Sequence, residues 1–233
     1  MKTIGLIGGM SWESSLEYYR VVNETAKARL GGLHNAKSLL YTVDFAQIER
    51  FQHAGDWDGA ARVLVEAAQS LERGGADCVV ICTNTMHKVA ALVESVVNIP
   101  LIHIADATAE RIKARGLQRI GLLGTAFTME QDFYKGRLTD KHGLEVIVPG
   151  EADRRIVHRV IYDELCLGIV KPESKLEYTR IMRELVKNGA QGIILGCTEI
   201  MLLVGQADSS VPVFDTTTIH AVAAVEFALE GDE

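Results

Sequence analysis

Apolar residues fall into two kinds of run along the chain. Short blocks rich in Val, Ile and Leu, at about 3–8, 38–44, 77–82, 100–104, 119–123, 144–148, 192–196 and 212–214, have the length and composition of buried strands. Longer stretches between them repeat their apolar positions at helical spacing, at about 13–30, 57–74, 85–96, 106–115, 128–142, 151–167, 173–188 and 216–229. The first of these starts after Ser11-Trp12 and stops at Gly31-Gly32, a normal C-terminal stop. Strands alternating with helices predict an α/β fold with largely parallel sheets. Such sheets take their ligands at the carboxyl ends of the strands, which directs attention to the polar residues there.

The pattern is written twice. Ile4-Gly5-Leu6-Ile7-Gly8 returns 116 residues later as Ile120-Gly121-Leu122-Leu123-Gly124, with Tyr18 falling on Tyr134. Gly75 to Thr83 reads against Gly189 to Cys197 at an offset of 114, and Asn98-Ile99-Pro100-Leu101-Ile102 against Ser210-Val211-Pro212-Val213-Phe214 at 112. Small loop deletions account for the drift. The expected architecture is two similar pseudo-symmetric lobes, 1–98 and 99–215, each a mostly parallel sheet flanked by helices, with an active site in the cleft between them. The closing helix, 216–233, is expected to pack back on the first lobe. No Pro/Gly-rich linker or charge block separates the halves, so the boundary rests on the repeat alone.

Composition narrows the function. The net charge of −7, with Lys and Arg spread along the chain, argues against a nucleic-acid surface and for a small-molecule partner. No apolar run approaches the roughly 18 residues of a membrane span, and Met1-Lys2-Thr3 leads straight into a strand, so the expected setting is cytoplasmic, with no membrane partner. Cys78, Cys82, Cys166 and Cys197 lack the paired spacing of a zinc site, and a cytoplasmic setting disfavours disulfides. Cys78 and Cys82 are four apart in a strand-like run and point to one face; Cys78 reads as a small core residue.

The candidate chemistry lies at the strand ends. Cys197 follows a strand and precedes Thr198-Glu199, where backbone N–H groups and a helix N-terminus would lower the thiol pKa and yield a usable base; a core cysteine is the alternative. Thr83, the residue matching Cys197, opens Thr83-Asn84-Thr85, a polar cluster suited to an anionic ligand or to capping a helix. His87 either points inward one turn later or is merely packed. The turn Gly8-Gly9-Met10-Ser11-Trp12-Glu13-Ser14 lacks the spacing of a dinucleotide site, although its helix N-terminus could take a carboxylate; Gly124-Thr125 is its counterpart. His103, Asp106, Asp215 and His220 also lie at or just beyond strand ends. The histidines read as hydrogen-bonded supporting groups or core rather than ligands, and Asp215-Thr216 reads equally as a helix cap.

At these residues the chain resembles the cofactor-independent aspartate/glutamate racemase family. The resemblance spans essentially the whole chain: Gly8-Gly9-Met10-Ser11, Asn84-Thr85, Gly121 to Thr125, Gly196-Cys197-Thr198-Glu199, and Phe214-Asp215-Thr216 with His220. It implies two α/β lobes flanking a substrate cleft, with neither pyridoxal phosphate nor metal, and a homodimer. It also implies two cysteines facing the α-carbon from opposite sides, one removing the α-proton and the other returning one. Cys197 carries over directly, but the partner position holds Thr83, with Cys82 one place earlier. The expectation is therefore that Cys197 deprotonates the L form and Thr83 reprotonates it, with kinetics favouring one direction. Cys82 as the second base is the alternative.

The resemblance further implies an α-carboxylate held by Asn84, Thr85 and Thr198 with backbone N–H groups including that of Met10, and Thr125 among the substrate-binding residues. The basic contacts expected for a distal carboxylate are missing: Leu167 stands before Gly168 at the lysine position, and Asp44 to Arg50 holds no securely aligned arginine. Gln47 or Arg50 would serve instead, and glutamate, aspartate or homoserine would be accepted. Sibling activities on the same scaffold are hydantoin racemase, maleate isomerase and decarboxylase. A different class is a non-catalytic amino-acid-binding protein.

Overall fold

The structure is a computed structural model that describes residues 1–230, so residues 231–233 of the helix expected over 216–233 lie outside the described residues. The chain forms two compact units: Met1–His103 together with the chain from His220, and Ile104–Ile219. Unit 1 runs β1 (Ile4–Gly8), α1 (Trp12–Leu30), β2 (Ser38–Thr42), α2 (Phe45–Ala54), α3 (Trp57–Arg73), β3 (Cys78–Ile81), a 3-10 turn (Thr85–Val89) and α4 (Ala90–Glu94). Unit 2 runs α5 (Ile104–Lys113), β4 (Arg119–Gly124), α6 (Ala126–Glu130), α7 (Asp132–Gly136), β5 (Glu145–Ile147), α8 (Glu151–Asp163), α9 (Pro172–Lys187), β6 (Gly192–Gly196) and β7 (Val213–Asp215). The last helix, α10 (Thr216–Leu229), begins in unit 2 and continues into unit 1.

Both sheets are parallel, ordered β2-β1-β3 and β5-β4-β6-β7. Their registers reproduce the repeat residue by residue. Ile4 lies opposite Cys78 as Ile120 lies opposite Gly192, and the isolated bridge Val79–Leu101 matches the pair Ile193–Val213. Main-chain bonds follow suit: Asp77 N donates to Thr3 O and Gln191 N to Arg119 O, both at 2.8 Å. Thr83 and Cys197, each two residues beyond a strand residue in equivalent register, therefore occupy equivalent places in their own units.

Strand alternation sorts the core of unit 1 into two layers. Cys78, Val80 and Cys82 join Ile4, Leu6 and Tyr18 beneath α1 and α10, whose Ala221, Ala224, Val225 and Ala228 are buried there. Val79 and Ile81 face the other way, with Ile7, Leu64 and Leu71 of α3. Gly5 is required where α3 crosses: a Cβ there would sit 2.8 Å from the Cys78 carbonyl and 3.3 Å from Leu71 Cβ, and its repeat partner Gly121 meets Leu185 Cβ of α9 at 3.3 Å. Unit 2 has one continuous core on its own sheet, including Leu122, Tyr134, Tyr178, Ile194 and Phe214.

Two expectations need correction, and one helix lies where the periodicity named no element. Residues 100–104 form only the single bridge at Leu101, because the chain turns into α5 at Ile104 before a second pair can form. The run 128–142 is not one helix: Gln131 is extended at φ −94°, ψ 155°, splitting α6 from α7, and a π-helical turn covers Arg137–Lys141. The stretch after Asp44 is helical as α2, capped by the Asp44 carboxylate accepting from Ala46 N at 3.2 Å. No helix among the described residues is long and apolar enough to cross a membrane.

Candidate active site

In unit 1 the sequence-predicted residues converge on the carboxyl ends of neighbouring strands. Thr83-Asn84-Thr85 follows β3, Met10 follows β1 and Gln47 lies on α2 beyond β2. Thr83, Asn84 and Thr85 are 8%, 1% and 5% exposed. Asn84 begins the 3-10 turn without a side-chain capping bond, so capping is not its task. Gly9 sits at φ +89°, and a Cβ there would collide with the Val43 carbonyl. Its N–H donates to Ser15 Oγ at 2.7 Å while the Ser15 hydroxyl donates to Ser11 O at 2.8 Å, pinning the turn from within α1. The Met10 side chain is core, which leaves its main chain to offer a ligand. Gln47 is half-buried and Arg50 exposed.

Behind Thr83 the supporting groups are aromatic. His87 Nδ1 is 2.8 Å from Thr83 O, and Tyr18 Oη is 2.8 Å from His220 Nδ1, whose Nε2 is 2.6 Å from Ile102 O. Burial pushes the His220 imidazole down to about 4. Cys78 and Cys82 are fully buried, and burial raises both thiols, Cys78 to about 11; Cys82 is part of the core rather than of the polar turn.

In unit 2, Thr125 follows β4 and Cys197-Thr198 follows the adjacent β6. Thr125 caps α6, accepting from Thr128 N at 3.3 Å. Asp215 caps α10, accepting from Thr217 N at 3.0 Å, whereas Asp106 anchors an ion cluster of Arg137, Lys141 and His142 at 2.7–2.8 Å.

The environment of Cys197 overturns the expectation of a helix N-terminus lowering its pKa. The segment after it is a single 3-10 turn, Ile200–Leu202, and the thiol donates to Glu199 Oε2 at 2.9 Å, as does Thr198 Oγ1. Burial first, and then the Glu199 carboxylate, hold the thiol well above its ordinary value despite a bond from the Glu199 backbone. The resting group is a thiol paired with a buried carboxylate. Sequence reasoning placed Glu199 in the motif without its task; the spacing Cys-x-Glu at a strand end was the available signal.

The comparisons agree with this architecture. The profile of the family described as Asp/Glu/Hydantoin racemase matches residues 7–224, and the chain belongs to that family. A solved structure from Yersinia pestis, of a protein assigned to the Asp/Glu racemases, is 59% identical, with a TM-score of 0.92 over 99% of this chain and 100% of that one. An aspartate racemase homologue from Pyrococcus horikoshii OT3 is 38% identical, with a TM-score of 0.85 over the same shares. The broad specificity amino-acid racemase RacX of Bacillus subtilis is 22% identical over 174 residues, 73% of each chain.

Proposed function

We propose that the chain is an isomerase that inverts the α-carbon of acidic amino acids, glutamate or aspartate and also homoserine, without pyridoxal phosphate or metal. The observation that carries this reading is the Cys197–Glu199 pair set against its repeat counterpart. A thiol becomes a base only if something takes its proton, and Glu199 Oε2 stands 2.9 Å from the sulfur. At the places matching Cys197 and Glu199, unit 1 has Thr83 and Thr85, two hydroxyls without a carboxylate. Cys197 is thus equipped to remove a proton and Thr83 only to give one.

In the reaction the thiol proton passes to Glu199, and the thiolate takes the α-proton of the L substrate. The resulting planar carbanion accepts a proton from the Thr83 hydroxyl on its other face, as inversion demands. Thr83 recovers its proton from solvent and Glu199 releases its own. The buried polar turns at Asn84, Thr85, Thr125 and Thr198, with the Met10 main chain, hold the α-carboxylate; Gln47 meets the distal group.

The test follows α-hydrogen exchange by NMR in D₂O with L- and D-glutamate, aspartate and homoserine, and with a hydantoin and maleate to separate the sibling activities. Cys197→Ser abolishes exchange and Thr83→Cys gains turnover of D substrates. Equal turnover numbers for both enantiomers in the wild type would sink the directional assignment, and no exchange with any amino acid would sink the activity. Sedimentation equilibrium tests the homodimer implied by the same reading.

A further inference from the structure

Unit 1 buries three imidazoles in a row, outside the groups given to the substrate. His87, His103 and His220 are 4%, 5% and 0% exposed, and the His87 ring lies 4.5 Å from that of His103 and 5.7 Å from that of His220, centroid to centroid. Among the described residues no group of three or more His, Cys, Asp or Glu is placed to hold a metal ion. Two of these rings are bonded to main-chain carbonyls instead. A carbonyl only accepts, so His87 Nδ1 carries the hydrogen it donates to Thr83 O at 2.8 Å.

The consequence falls on Thr83. Its N–H donates to Ile81 O at 2.8 Å, which fixes the peptide before it, and the His87 bond fixes the peptide after it. With both flanking planes held, the direction of the Cα–Cβ bond is set. Unit 2 does this differently: Met201 stands in the place of His87, and the Cys197 carbonyl accepts from Ile200 N at 3.1 Å. The imidazole bond therefore belongs to the turn that bears the hydroxyl. Resting on the reading above, in which Thr83 gives the second proton, we propose that His87 is a positioning residue that aims Thr83 at the α-carbon. A misplacement of about 1 Å in such a group costs on the order of a hundredfold in rate.

Two processes separate this role from general structure. In D₂O, Cys197 alone washes deuterium into the L substrate by taking the proton and returning a deuteron to the same face; forming the D enantiomer needs Thr83 as well. The measured quantity is the ratio of inversion to exchange for L-glutamate, L-aspartate and L-homoserine. Asn at 87 puts an amide nitrogen near the Nδ1 position and keeps the bond, whereas Gln reaches the Nε2 position and loses it. His87→Gln and His87→Ala are expected to lower the ratio at least about tenfold, with exchange itself within about threefold, and His87→Asn to restore it. Should Ala prove insoluble, the Asn/Gln pair decides. An unchanged ratio in Gln, or an equal fall in Asn and Gln, overturns the proposal. Absence of wild-type exchange would instead overturn the activity, and exchange without wild-type inversion would overturn the role of Thr83.

Discussion

Acid should destabilise unit 1 through one residue. His220 is fully buried, with Nε2–H donated to the Ile102 carbonyl and Nδ1 accepting from Tyr18 Oη, so the folded state holds it neutral. Burial takes its pKa from 6.5 to about 4. The unfolded chain takes up a proton as pH falls through about 6.5, while the native state does so only near 4. The stabilising difference is therefore complete above about pH 6.5, erodes between 6.5 and 4, and changes no further below. At roughly 1.4 kcal/mol per unit, the loss approaches about 3 kcal/mol, most of it reached by about pH 4.5. The assay is urea unfolding of wild type and His220→Gln at pH 7.5 and 4.5; taking the difference removes the contribution of carboxylates common to both. The stability gap between the two proteins should shrink by about 2–3 kcal/mol on acidification. A gap that is the same at both pH values, or a His220 resonance titrating near 6.5, refutes the reasoning.

The repeat supplies its own control for the same cluster. Tyr18→Phe strips a donor from buried His220 Nδ1 and should cost about 1–3 kcal/mol. Tyr134→Phe should cost less, because the buried Tyr134 Oη reaches no partner at bonding distance; paired thermal melts check both. Gly9→Ala forces a side chain into φ +89° and against the Val43 carbonyl, a loss of about 2–4 kcal/mol measurable by denaturant unfolding. Glu199→Gln removes the carboxylate that accepts the thiol hydrogen at 2.9 Å, so alkylation of Cys197 by iodoacetamide at pH 8, followed by peptide mass spectrometry, should slow by roughly threefold or more; an unchanged or faster reaction would contradict the role of Glu199 as proton acceptor.

What the sequence discloses and what it hides follows from the range over which each feature is decided. Strand faces are decided locally by period two, so the placing of Cys78 and Cys82 on one buried face is legible before any coordinates are known. Matching of the two halves is legible too, because register in a parallel sheet is set by the same apolar blocks that align in the repeat. The strand expected at 100–104 fails because whether an apolar block pairs at length depends on how soon the next helix begins, a tertiary matter. The environment of Cys197 fails for a related reason. Periodicity locates the end of β6, but only the turn that follows decides whether a buried sulfur meets N–H groups or a carboxylate. Glu199, just ahead of the 3-10 turn Ile200–Leu202, lies against the thiol, and burial first and then this acid raise it, the reverse of the expected shift. The duplicated frame keeps the register while the turn residues diverge, Thr83 to Cys197, Thr85 to Glu199 and His87 to Met201. The result is a thiol beside a carboxylate in one unit and a hydroxyl on a turn held by an imidazole in the other, on strands that keep equivalent register.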